Sequence, residues 1–200
     1  MILYYSPQTR AFPVLWTLEE LAVEYDLKIV NLNQADKRRT STGRLNPMMK
    51  VPALTDGDVV VTETGAILHY LAEKNSPPCL LPQLGDAARP RCIRWLFFVG
   101  SNFEPAMGER FNGWTPNPYY NGRGDFDRVR DVIAEALTEG SWLLGECFTV
   151  ADIDLASDLR IACEGKLIPA DREPFAGYLG RVGNRPAFVR ATKIDADAAA

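Results

Sequence analysis

The sequence predicts a mixed α/β unit followed by an all-helical unit. Three observations support this. Short runs rich in β-branched and aromatic residues alternate with helix-period patterns over roughly the first 75 residues. The stretch NSPPCLLPQL at residues 75–84 then contains three prolines and cannot propagate a helix. Helical patterns dominate after it. We therefore predict one domain over residues 1–76, a linker over 77–85 and an all-helical domain over 86–200.

The first unit is predicted to open with a β-α-β succession. Residues 2–5, Ile-Leu-Tyr-Tyr, form a strand candidate that Ser6-Pro7 closes. The stretch AFPVLWTLEELAVEY that follows has apolar residues at helical spacing, and a proline is tolerated there in the first turn of a helix. Residues 27–31 read as a second strand.

A hairpin and a second helix complete this unit. Residues 51–54 and 59–61 are β-rich, and the Asp56-Gly57 pair between them is typical of a hairpin turn. After the hairpin, residues 66–74 show one apolar helix face, with Thr64 in position to act as the N-cap. The predicted order is therefore βαβ followed by ββα.

The second half is predicted to be helical at residues 87–110, 125–139, 149–164, 174–182 and 186–193. Its sharpest signal is FTVADI, in which Thr149 is followed three residues later by the acid Asp152. This spacing predicts a capping box at a helix start, which is a structural role.

Composition and charge exclude several classes of protein. A formal charge of −4 gives no reason for binding to phosphate backbones, so we expect no nucleic-acid partner. No apolar run approaches the length of a membrane span, and we expect a soluble, cytoplasmic protein. The four cysteines include no C-x-x-C pair, so neither a zinc site nor a dithiol centre is expected.

A Val-Pro bond opening the third strand of a βαβ-ββα unit resembles the thioredoxin fold. Four motifs, YYSPQTR, NPMMKVPAL, the Glu63-Thr64 pair and FTVADI, occur in the order seen in the cytosolic glutathione transferase superfamily and span nearly the whole chain. The chain is therefore similar to that superfamily. Its class stays open among the serine-type theta, delta and zeta classes and the beta class, whose loop cysteine is replaced here by Arg10.

The resemblance implies a glutathione site. In the family the proline corresponding to Pro52 is cis, which would turn the Val51 backbone toward the cysteinyl residue of glutathione. Thr64 at a helix N-terminus suits the γ-glutamyl carboxylate, and Glu63 suits the ammonium group. Lys50 is implied as a contact of the glycyl carboxylate.

The implied reaction needs a thiolate, because a free thiol has a pKa near 8.5 and the anion is the nucleophile. The resemblance makes Ser6 the first candidate to donate a hydrogen bond to the sulfur. Tyr5 and Thr9 are the alternatives, and Arg10 would add positive charge nearby. Neighbouring strand residues point to opposite faces, so Ser6 and Tyr5 do not both serve one sulfur easily.

An acceptor pocket is expected from the apolar residues Phe103, Met107, Phe111 and Trp114. The resemblance implies attack of the glutathione thiolate on a small hydrophobic electrophile, without a metal, as in detoxification. It also implies a homodimer, with Ser101 or Asn102 near the partner's glutathione. The sequence does not identify the electrophile or the physiological role.

A second hypothesis is a non-catalytic protein of the same fold that serves as a binding or assembly module. An intact set of Ser6, Val51-Pro52 and Glu63-Thr64 favours the enzyme. A site filled by side chains such as Met48 or Met49 would favour the binding module. At the position of Met49 the family often has glycine.

Overall fold

The computed structural model describes residues 1–32, 45–75, 80–117 and 119–199. It divides into two compact units. The first consists of Met1–Asn75 together with Asn184–Ala200, and the second consists of Ser76–Gly183. The first boundary lies close to the predicted end of the first domain at residue 76.

The first unit contains four strands and three helices within the described residues. They are β1 (Ile2–Tyr5), α1 (Phe12–Leu21), β2 (Asp26–Ile29), β3 (Ala53–Asp56), β4 (Val59–Thr62), α2 (Thr64–Lys74) and, from the end of the chain, α8 (Pro186–Ala199).

The four strands form one mixed sheet in the order β2-β1-β3-β4. β1 is parallel to β2 and antiparallel to β3, and β3 is antiparallel to β4. Tyr4 pairs with Ala53, which in turn pairs with Thr62. The carboxyl end of β1, the start of β3 and the end of β4 therefore share one edge. This is the predicted thioredoxin-like arrangement, and the fold-class prediction is confirmed.

α1 buries most of its surface. Phe12 to Leu18 are all buried, and Pro13 lies in the first turn, as predicted. The helix ends at Leu21 rather than at residue 25, because Ala22 adopts a left-handed conformation with φ of 51° that stops the helical hydrogen bonding.

The hairpin is confirmed, with Asp56 paired to Val59 and Gly57 at φ 58° in the turn. The expectation that Thr64 caps α2 is wrong. Glu63 occupies the N-cap position, and its side chain makes no capping hydrogen bond. Thr64 is the first helical residue, and its hydroxyl donates to the carbonyl oxygen of Arg10 at 3.2 Å.

The second unit is helical in its described part. Its elements are α3 (Ala88–Phe98), a π-helical segment (Val99–Phe103), α4 (Glu104–Asn112), α5 (Phe126–Ala136), α6 (Val150–Glu164) and α7 (Phe175–Gly183). The single helix predicted at 87–110 is thus two α-helices joined by the π-helical segment. None of the helices in the described ranges is long and apolar enough to cross a membrane.

The predicted capping box at the start of α6 is present. The Asp152 carboxylate accepts the Thr149 N–H at 2.9 Å and the Thr149 hydroxyl at 3.1 Å. It also accepts the Leu143 N–H at 2.9 Å and the Tyr178 hydroxyl at 3.2 Å. Asp152 is fully buried, so one carboxylate joins the start of α6 to the preceding turn and to α7.

The last helix packs within the first unit. The Phe188 ring of α8 lies 5.9 Å from the Phe12 ring and 4.9 Å from the Trp16 ring. Arg185 makes two hydrogen bonds to the Glu20 carboxylate, at 2.6 and 2.8 Å. Helical periodicity identifies a helix but not the surface on which it packs, so the sequence does not separate this helix from the predicted helical domain over residues 86–200.

Candidate functional site

The candidate site lies at one edge of the first unit's sheet. Ser6 follows β1 and Glu63 follows β4, while Val51 lies two residues before β3. Because Tyr4, Ala53 and Thr62 are in register across the three strands, these predicted site residues share that edge. The N-termini of α1 and α2 follow two of these strand ends.

Ser6 is half-buried, and its hydroxyl makes no hydrogen bond to any residue in the described ranges. Thr9 is already engaged, since its hydroxyl donates to the Ser6 carbonyl oxygen at 2.6 Å and accepts the Ala11 N–H at 3.2 Å. The Thr9 side chain therefore closes the loop before α1, and its proton is directed at the backbone.

Tyr5 is fully buried, and its hydroxyl donates to Oδ1 of Asp195 on α8. Burial, together with the adjacent carboxylate, raises the pKa of Tyr5 well above its usual value, so the phenol stays neutral and acts as a donor. The same Oδ1 accepts the backbone N–H of Gln8 at 2.9 Å. The Tyr5 hydroxyl is thus committed to the unit's interior.

Arg10 and Thr64 bring the two helix N-termini together through the hydrogen bond from the Thr64 hydroxyl to the Arg10 carbonyl oxygen. Thr64 is half-buried, and Glu63 is exposed with φ of 70° and ψ of 126°. The first N–H groups of a helix have no intrahelical acceptor and favour an anion. The start of α2 therefore has the chemistry to bind a carboxylate beside an acidic side chain.

The Val51-Pro52 peptide bond is cis, as the resemblance implied. Pro52 is buried and Val51 is half-buried. Val51 makes no backbone hydrogen bond to any other residue that the structure describes, although the strand beginning two residues later is paired on both sides. Its N–H and C=O can therefore accommodate an extended peptide group.

The loop before Val51 is organised by Asn46, which is buried. Its side chain donates to the Lys50 carbonyl oxygen at 3.1 Å and accepts the Met48 N–H at 2.9 Å. Met49 has φ of 56°, the left-handed region that glycine enters most easily. The loop thus retains a glycine-like geometry with methionine at that position. Lys50 is exposed.

The predicted acceptor residues belong to the second unit and fall into two pairs. Phe103 and Met107 are buried, and the Phe103 ring stacks on Phe126 with centroids 6.5 Å apart. Phe111 is 49% exposed and Trp114 is 65% exposed. Only the second pair offers aromatic surface to a ligand, while the first pair packs the helical core.

No group of three or more potential metal-ligating side chains occurs within the described ranges. The polar groups at the sheet edge are instead a hydroxyl and backbone amides, which can donate, and one carboxylate, which accepts. They suit a peptide-like ligand with charged ends.

Comparison with known proteins gives the family. A glutathione S-transferase of Escherichia coli O157:H7, GstA, is 30% identical to this chain over 192 residues, which are 93% of this chain and 94% of the relative. The chain belongs to the glutathione S-transferase family. The family model described as the glutathione S-transferase N-terminal domain matches residues 1–73.

Two further similarities bear on the activity. The disulfide-bond oxidoreductase YfcG of Escherichia coli K12 is 30% identical over 164 residues, covering 76% of this chain and 75% of the relative. A sphingomonad glutathione S-transferase was solved in complex with glutathione. Its structure matches this chain with a TM-score of 0.81 at 27% identity, and the match covers 98% of this chain and 99% of the sphingomonad protein.

Two residues of the site were missed by sequence reasoning. Asp195 is 190 positions from Tyr5, and no local pattern marks it as a partner. Asn46 is the first residue of the NPMMKVPAL motif, and the resemblance assigns it no role. An asparagine followed by a proline is typical of a turn, and that signal could have identified the loop geometry.

Proposed function

We propose that this chain binds glutathione at the sheet edge and stabilises its thiolate by a hydrogen bond from Ser6. The thiolate then attacks an electrophilic carbon of a small hydrophobic substrate. In this proposal Val51 pairs through its backbone with the cysteinyl residue, Thr64 and Glu63 hold the γ-glutamyl end, and Lys50 contacts the glycyl carboxylate.

The observation that carries the proposal is the difference among the three candidate hydroxyls. Tyr5 donates to Asp195 and Thr9 donates to the Ser6 carbonyl oxygen. The Ser6 hydroxyl is without a hydrogen bond in the described part of the chain and lies between the strand end and the start of α1. This supports Ser6 over both alternatives.

The energetic demand on this arrangement is moderate. Lowering the thiol pKa by about two units corresponds to roughly 2.7 kcal/mol in favour of the anion. A charge-assisted hydrogen bond from a hydroxyl and the positive end of α1 contribute in this range together, and Arg10 adds charge in the same loop. No general base is required.

The test is an ultraviolet titration of glutathione bound to the wild type and to Ser6→Ala, which follows thiolate absorbance against pH. We expect a lowered thiol pKa in the wild type and a return toward the free value in the variant. Ser141→Ala, which removes a hydroxyl from the second unit, is the matched control. A low pKa retained in Ser6→Ala would reject the role of Ser6, and absence of glutathione binding would reject the function.

Disulfide reduction is a second candidate, because one relative is named a disulfide-bond oxidoreductase. Here the glutathione thiolate would attack a sulfur atom of a disulfide, forming a mixed disulfide and releasing the other thiol. A second glutathione would then give glutathione disulfide and the second thiol. Parallel assays with an aryl halide and with a small disulfide distinguish the two reactions.

We further propose a homodimer, in a cytoplasmic location. Phe97 on α3 is 72% exposed, so its ring is available to contact a second copy of the chain. In such a dimer Ser101 or Asn102 would lie near the partner's glutathione. Light scattering should give twice the monomer mass of 22.2 kDa, and the monomer mass would reject the dimer.

Phe111 and Trp114 are proposed to contact the acceptor.

A further inference from the structure

Asp195 has an unusual position for a residue near the end of a chain. Its Oδ1 accepts two hydrogen bonds, one from the Tyr5 hydroxyl and one from the Gln8 backbone N–H at 2.9 Å. The two donors flank Ser6 on either side in the sequence. The carboxylate of α8 therefore fixes both ends of the segment that carries Ser6.

The Ser6 segment needs such support because it is a turn without ladder pairing. β1 ends at Tyr5, and α1 begins only at Phe12. Gln8 adopts φ of 56°, a left-handed conformation that is unfavourable for a residue with a Cβ. A hydrogen bond to a carboxylate at that residue holds the turn in this conformation, since charge-assisted hydrogen bonds are roughly twice as strong as neutral ones.

The anchor itself is rigidly mounted. The Glu20 and Glu19 carboxylates of α1 pair with Arg185 and Arg190, which bracket the first half of α8. Between them Phe188 packs edge-on against the α1 rings. Because α8 is held to α1 by ion pairs and aromatic contacts, the position of Asp195 is defined relative to the same helix that follows the Ser6 turn.

We infer that Asp195 is a positioning residue, which sets the Ser6 hydroxyl for the glutathione sulfur through Tyr5 and Gln8. This inference rests on the proposed glutathione-transferase function. Tyr5 then has a structural role in the site, since its phenol orients the end of β1. Asp195 touches neither glutathione nor the reacting carbon, and it acts through the geometry of the turn.

The experiment compares Asp195→Ala, Asp195→Asn and the control Asp197→Ala, in which an exposed aspartate two residues further along α8 is removed. Each protein is titrated with glutathione, and the thiolate absorbance of the bound peptide is followed against pH. We expect Asp195→Ala to raise the bound thiol pKa by at least one unit, which is a tenfold smaller ratio of thiolate to thiol at any given pH. Asp195→Asn keeps an acceptor oxygen, so its bound thiol pKa should stay close to that of the wild type.

The result that overturns the inference is an unchanged thiol pKa in folded Asp195→Ala. A merely structural role would lower thermal stability and leave the thiol pKa of the folded fraction unchanged. The thiol pKa therefore distinguishes a positioning role of Asp195 from a structural one. A rise of the same size in Asp197→Ala would also overturn it, because the effect would then come from the net charge of α8.

A second measurement does not depend on glutathione. Amide hydrogen exchange of Gln8 should be at least tenfold faster in Asp195→Ala than in the wild type, and unchanged in Asp197→Ala. If the wild type fails to bind glutathione, the proposed function falls, and the Gln8 exchange still decides whether Asp195 holds the turn. Unaltered exchange would overturn the anchoring itself.

Discussion

The Asp152 carboxylate provides a prediction whose sign can be worked from the structure. Burial removes the carboxylate from water and raises the pKa of Asp152 to about 6, although the donors from Leu143, Thr149 and Tyr178 act in the opposite direction. In the unfolded chain an aspartate has a pKa of about 3.9. The folded protein therefore retains the proton to a higher pH than the unfolded chain does.

This difference makes stability depend on pH. Below about pH 4 the group is protonated in both states, and its contribution to folding is fully present. As the pH rises through about 6, the folded state must hold a buried anion, and that contribution is lost. A difference of about two units corresponds to a loss of roughly 2.7 kcal/mol in the free energy of unfolding.

The perturbation is Asp152→Asn, which keeps the shape and cannot ionise. The measurement is urea unfolding at several pH values from 4 to 7, followed by tryptophan fluorescence, to which Trp142 contributes from a position 5.8 Å from the Tyr178 ring. We expect the stability of the wild type relative to the variant to fall by about 2 to 3 kcal/mol over this range. The control is Asp171→Asn, at an exposed position.

A rise in the stability of the wild type relative to Asp152→Asn with increasing pH would refute this reasoning. It would mean that the four hydrogen-bond donors stabilise the anion by more than burial destabilises it, and that the capping box is ionised throughout. If the difference in free energy of unfolding between the wild type and Asp152→Asn did not change with pH, as expected for Asp171→Asn, ionisation of Asp152 would not affect the stability of the second unit.

Two further predictions concern glycines and thiols of the second unit. Gly140→Ala should lower the free energy of unfolding by about 1 to 3 kcal/mol, because a Cβ there would lie 2.7 Å from the Gly145 Cα. Gly180→Ala, in an open helical position, should instead raise it by up to about 1 kcal/mol in the same urea titration; the reverse order would contradict the packing argument. A chromogenic disulfide reagent should modify exposed Cys147 rapidly and Cys92 only on unfolding, because Cys92 is buried and its thiol pKa is raised by that burial; equal rates would contradict it.

Local patterns predicted local structure well. The Asp56-Gly57 turn, the proline in the first turn of α1 and the Thr149–Asp152 capping box each depend on residues within a few positions of one another, and all three are present. Their physics is set by backbone dihedrals and nearby hydrogen bonds, which short sequence windows contain.

Non-local partners could not be predicted in the same way. Thr64 looked like a helix cap, yet its hydroxyl donates to the Arg10 carbonyl oxygen across 54 positions. Tyr5 is an alternative to Ser6 as a donor in the sequence, and only the structure shows that its hydroxyl donates to Asp195. A single sequence shows which side chains can donate, but tertiary packing decides which acceptor each one meets.

The first unit is built from both ends of the chain, so its completeness also depends on non-local packing. The matched family domain covers residues 1–73, but the compact unit also includes α8. A fragment limited to the matched residues would leave the Trp16 ring without Phe188 and the Glu20 carboxylate without Arg185. It would also leave the buried Tyr5 hydroxyl without its acceptor, and an unpaired buried donor costs about 1 to 3 kcal/mol. The strand that leads to the candidate nucleophile-activating serine is thus completed from the far end of the chain, so the site and the last helix form one structural unit.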